Sequence, residues 1–129
     1  MQANTLPSQS VTVIFQGGIN VHRLGQGGDD GSDFMANVAK TRAALPHATI
    51  VLSTWDTLAL PTEFDSADKL GIDQLILNPD PGGLPNIKFG YDAPNNVNRQ
   101  IISTQAGLNQ VSTEYALKLR TDSYLLNDN

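Results

Sequence analysis

The chain has no cysteine, so disulfide bridges, thiolate nucleophiles and cysteine-ligated zinc or iron–sulfur centres are excluded. It is poor in charge, at 16% of residues, and poorer in cations than acids: 8 Lys and Arg against 13 Asp and Glu give a formal charge of -5. That balance argues against a nucleic-acid binder relying on general phosphate attraction, while a local basic cluster or a small positive pocket for a nucleotide remains compatible with it. No apolar run approaches the length of a membrane span, and no strongly basic amphipathic helix is present. The first ten residues lack the basic start and apolar stretch of a signal peptide. A cytoplasmic protein, at most peripheral to the inner membrane, is expected. There is no G-x-S-x-G elbow for a hydrolase triad. His22 and His47 are far apart, without a second ligand at metal spacing, and read as ordinary loop histidines.

What is present is enough for one core. A chain of 129 residues with 40% apolar content suits one α/β domain covering residues 1–129. Val11 to Phe15, "VTVIF", is β-branched and aromatic and reads as a buried strand. The segments "TIVL" (49–52), "DQLILN" (73–78) and "YALKL" (115–119) read as three more. Phe34, Val38, Arg42 and Leu45 follow helical spacing, with Ser32 or Asp33 as a cap and Pro46 as a stop. Residues 58–73 form a short irregular or helical connection. Val97, Ile101, Thr104, Leu108 and Val111 recur as a one-faced stripe on a second helix, capped by Asn95 or Asn96. Gly107 within it suggests close approach to the sheet. Residues 79–96 hold three prolines in their first seven positions and form a long connection. The order β, α, β, β, α, β predicts a mostly parallel sheet with flanking helices, whose ligands bind at the carboxyl ends of the strands. Its open edge is expected to lie against a second copy, giving a homodimer.

That rule turns attention to the ends of the strands. Lys118, Arg120 and Asp122 share one side of the last strand. Two like charges there are costly to bury unless anions face them. Either this is an exposed edge or one neutralised by Asp56, Asp80 and Asp122, or the cations face phosphates and Asp122 holds a divalent metal. Asp56, beside Trp55, could accept hydrogen bonds from a base or ribose, or be a surface acid. Asp80 sits in a stiff Pro-Asp-Pro segment. Arg99 and Gln100 lie early on the second helix, facing solvent or a phosphate. The loop "GQGGDDG" fails the dinucleotide fingerprint, because the third glycine position holds Asp30, and it reads as a mobile surface loop. A nucleotidyltransferase would want a basic glycine-rich loop at that place.

Beyond these patterns, the strings "VTVIFQGG", "RAALPHATIVLSTWD", "LILNPDPGG", "NNVNRQIISTQAGL" and "YALKLRTD", in that order, resemble the WavE-type lipopolysaccharide synthesis proteins. The resemblance runs from about Val11 to Asp122. It implies a Rossmann-like half of a GT-A nucleotide-diphospho-sugar transferase fold, here the N-terminal, donor-side portion of a truncated glycosyltransferase. It places Gln16, Gly17, Arg42, Asp56, Asp80, Asn98, Arg99, Lys118 and Arg120 about the donor, and Asp122 on manganese or magnesium. The implied partners are a nucleotide-diphospho-sugar and a glycan acceptor. Asp122 is followed by Ser123 and Tyr124, not by the second acid of a D-x-D pair. No catalytic residue is assigned. A non-catalytic binding or structural module derived from the same fold is the alternative.

Overall fold

The computed structural model describes residues 8–79, 84–85, 94–95 and 97–126, with backbone alone at 8, 84–85, 94–95 and 97–100. Four strands form a parallel sheet: β1 (Val11–Gln16), β2 (Thr49–Trp55), β3 (Gln74–Asn78) and β6 (Tyr115–Arg120), in the spatial order β3-β2-β1-β6. Short β4 (Leu84–Pro85) and β5 (Pro94–Asn95) pair antiparallel apart from it. The rest of the expected long connection lies outside the described residues. Between β1 and β2 runs α1 (Phe34–Ala44), and between the small ribbon and β6 runs α3 (Val97–Leu108). Residues 58–73 contain a 3₁₀ turn and the four-residue α2 (Ala67–Leu70), as the mixed sequence suggests.

Alternation along the strands gives the sheet two different faces. Val11, Val13 and Phe15 of β1, with Ile50 and Leu52 of β2, join Phe34 and Val38 of α1 in the main apolar cluster, which Leu117 and Leu119 flank. Phe15 meets Phe34 edge to face, with ring centroids 5.2 Å apart, a contact adding about 1 kcal/mol to the burial itself. Residues of opposite parity face α3. A Cβ on Gly107 would stand 2.4 Å from the Ile14 methyl Cγ2 and 3.6 Å from Ser53 Cβ, so this helix lies on the sheet through a residue without a side chain.

The face that α3 buries differs from the one its periodicity predicts. Ser103 and Gly107 are buried, while Ile101 is 56% and Leu108 48% exposed. The helix exists as expected but is rotated, because small residues let its backbone approach where the larger stripe residues could not. Its capping position, 96, lies outside the described residues.

Candidate functional site

Strand order alone locates a topological switch point. From β1 the chain moves to β2 and β3 on one side, then returns to place β6 on the other, so the direction reverses between β1 and β6. Gln16 at the end of β1 is in register with Arg120 at the end of β6. The segments leaving these strands, Gly17-Gly18 and Thr121-Asp122, therefore flank the switch point. Thr121 donates its N–H to Gln16 O (3.3 Å) and its hydroxyl to Gly18 O. Gly17 has φ +118°, a backbone region that L side chains avoid. The N–H of Gly17 is held by Ser53 O at 3.2 Å.

Beneath this rim, on the α3 side, lies a polar layer. Ser103 Oγ donates to Gln16 Oε1 at 2.9 Å, and Asn78 Nδ2 donates to Ser53 Oγ at 2.9 Å and Thr54 O at 2.8 Å. All four side chains are buried. Buried polar groups need partners, and here each strand end finds one on its neighbour or on α3, which fixes the relative positions of three strand ends. Gln16 was legible as a rim residue. Asn78, closing the third strand, was legible too. Ser53 and Ser103 were not, because nothing local marks a serine as the partner of a residue 87 positions away.

The glycine-rich loop is anchored, correcting the expectation of a mobile one. Asp33, the buried N-cap of α1, accepts from Gly25 N (3.0 Å) and Met35 N (3.0 Å) through Oδ1 and from Gly27 N (2.7 Å) through Oδ2. The amides that a phosphate would seek are already filled by a carboxylate of the chain itself. Asp30 accepts from the Ser32 hydroxyl and N–H, which hold its pKa below the usual carboxylate value. Lys40 bonds Asp29 at 2.8 Å, which raises the ammonium's pKa, and it also bonds Gly28 O at 2.9 Å.

The expected site residues divide into four groups. Gln16, Gly17, Arg120 and Asp122 come together at the switch point, and Lys118 lies two residues back on the same side of β6. Asp56 leaves β2 with its N–H on Asn78 O (2.9 Å) and its side chain exposed, two strands away from β6. Arg42 lies at the opposite end of the sheet: it bonds Ala48 O and Asp73 Oδ2 (3.2 Å) beside the starts of β2 and β3. Asp80 lies outside the described residues. Asn98 and Arg99 fall in the first turn of α3, with their side chains outside the description.

The charge question raised by β6 has a plain answer. This strand is the edge of the sheet, α3 does not cover it, and Lys118 and Arg120 are exposed. Arg120 bonds Asp122 at 3.0 Å, with side-chain exposures of 73% and 57%. An ion pair that open contributes under about 1 kcal/mol, so an incoming dianion can compete for the guanidinium. Among the described residues no group of three or more His, Asp or Glu stands together to hold a metal ion. The Asp122 carboxylate is engaged by the Arg120 guanidinium.

A parallel sheet with helices on both faces and a buried polar layer beneath its switch point defines a Rossmann-like α/β protein. Within that class, the chain belongs to the WavE lipopolysaccharide-synthesis family, whose model matches residues 11–129. No curated protein and no solved structure matches the chain. No helix among the described residues is long and apolar enough to cross a membrane.

Proposed function

We propose that this chain binds the diphosphate of a nucleotide-diphospho-sugar donor in the crevice between β1 and β6, as the donor-side part of a GT-A-like glycosyltransferase acting in surface-glycan synthesis. The observation that carries the reading is the juxtaposition of Gly17-Gly18, whose backbone can approach a ligand closely, with the exposed cation Arg120 across one strand spacing. Lys118 extends the positive strip along β6. During sugar transfer, negative charge grows on the departing diphosphate oxygen, and cations fixed beside it lower the barrier. Asp56, past the end of β2, would reach the nucleoside. Asp80, Asn98 and Arg99 belong to the same proposal. Arg42 would act only through the sheet end it holds. Asp122 would meet a manganese or magnesium ion only on releasing Arg120, with the diphosphate supplying further oxygens. Activation of the glycan acceptor's hydroxyl is assigned to no residue of this chain.

The pairing of Asp122 with Arg120 favours a second reading, a non-catalytic α/β module that retains the scaffold. Calorimetric titration with UDP, GDP and CMP, each with and without manganese, separates the two. The donor-binding reading predicts saturable binding of at least one nucleoside diphosphate, weakened about tenfold in Arg120→Ala by loss of a charge-assisted hydrogen bond. It also predicts a manganese-dependent gain that Asp122→Ala abolishes. A folded protein that binds none of the three leaves the non-catalytic module as the surviving account.

A further inference from the structure

Asn37 lies on α1 with 0% exposure and takes no place in the apolar cluster that its neighbour Val38 joins. Its amide nitrogen donates twice, to Gly31 O at 2.9 Å and to Thr121 O at 2.8 Å. Gly31 ends the loop that follows β1, and Thr121 begins the segment that follows β6. One carboxamide thus ties together the two segments that diverge from the switch point. Its Oδ1 is buried without a hydrogen-bond partner among the described residues. Only the donor side of the amide is used, and a carboxylate in its place would set an anion against two carbonyls.

Independent contacts reinforce the same seam. A Cβ on Gly31, whose φ is +84°, would stand 2.1 Å from Asp122 O, so the two backbones touch directly. Tyr124 donates its hydroxyl to Asp29 O at 2.7 Å, and Lys40 Nζ lies 4.2 Å from the centre of the Tyr124 ring. Leu125 donates its N–H to Thr41 Oγ1 at 3.1 Å. Each partner is side-chain or backbone chemistry joining α1 or its entry loop to the stretch after β6.

We infer that Asn37 is a positioning residue: it sets where Thr121 and Asp122 stand against Gly17-Gly18, and so the width of the crevice, without touching a ligand. The inference about affinity rests on the proposed donor site, whereas the mechanical coupling does not. Losing the donor leaves one buried and one part-buried carbonyl without it, a penalty that translates to about 10- to 100-fold in the local opening equilibrium.

Hydrogen–deuterium exchange on the full chain tests this, comparing Asn37→Asp and Asn37→Ser with Val38→Ala, a core truncation one residue away. Both Asn37 variants should speed exchange in 25–32, where the Gly25, Gln26, Gly27 and Ser32 amides are bonded, and in 121–125 together by about that factor, while the amides of β2 follow global stability only. Val38→Ala should lower global stability and leave those two segments no faster than the rest. UDP titrated into the same proteins should bind the Asn37 variants about tenfold more weakly and Val38→Ala as it binds the parent. If the two segments keep their protection in Asn37→Ser, or only one is released, or Val38→Ala reproduces the pattern, the positioning role is wrong. If the parent binds no nucleotide, the donor reading falls and the exchange result still decides the coupling.

Discussion

Asp33 shows how much a single side chain can organise. Its two carboxylate oxygens accept from three backbone amides, those of Gly25, Gly27 and Met35, and it is almost entirely buried. An N-cap alone contributes about 1 kcal/mol, and charge-assisted hydrogen bonds about 1.5–3 kcal/mol each before their desolvation is counted. Asp33→Asn keeps the shape but can turn an N–H toward the Gly25–Gly27 amides in place of an acceptor. It is expected to lower the unfolding free energy by about 2 kcal/mol, read as a lower urea midpoint with unchanged m-value. An unshifted midpoint would show that solvent serves those amides as well as the carboxylate does. The sequence offered Asp33 as a helix cap and missed its hold on the glycines, since capping is a local signal whereas a loop returning onto its own cap is a tertiary event.

At the scale of the element, α3 carries the sharpest lesson. Its sheet-facing contact is Gly107 against Ile14, and its sheet-facing bond is Ser103 to Gln16. Gly107→Ala gains helix propensity of about 1 kcal/mol, yet places a methyl at 2.4 Å from a side chain in a packed layer. Overpacking of this kind costs about 1–3 kcal/mol and should win, giving a net loss of about 1 kcal/mol in chemical denaturation. The loss should shrink in an Ile14→Ala background, where the opposing methyl is gone; equal effects in both backgrounds would mean that the helix simply shifts. The strands were legible because β-branched runs bounded by turn residues have few other readings. Close approach at Gly107 was legible too. The burying face was not, because periodicity counts apolar side chains and the contact here is made by residues that have almost none. The rim followed from topology, so Gln16, Gly17, Arg120 and Asp122 were found together. Arg42 was placed with them by resemblance, but its helix carries it to the far end of the sheet, where Asp73 and Ala48 engage it.

The whole molecule is acidic, with a formal charge of -5, yet two of its cations collect along one open edge. Thr121 turns its N–H toward β1, so by alternation the N–H groups of Ala116, Lys118 and Arg120 point away from the sheet, unpaired by any described strand. Such an edge is a template for pairing with another chain, and charged side chains are the usual means of restraining it. Lys118 and Arg120 then have two effects from one placement: they repel indiscriminate strand addition and present positive charge to the crevice. The two effects can be separated by experiment. Replacing both with valine should favour strand pairing and raise self-association, visible as concentration-dependent mass in light scattering, whereas replacing both with glutamate should leave the edge guarded while abolishing nucleoside-diphosphate binding. The unsubstituted chain in the same series reports whether a second copy already covers the edge. If the valine pair scatters as the parent does, the edge needs no guarding, and the cations at the end of β6 are left with anion binding as their physical reason.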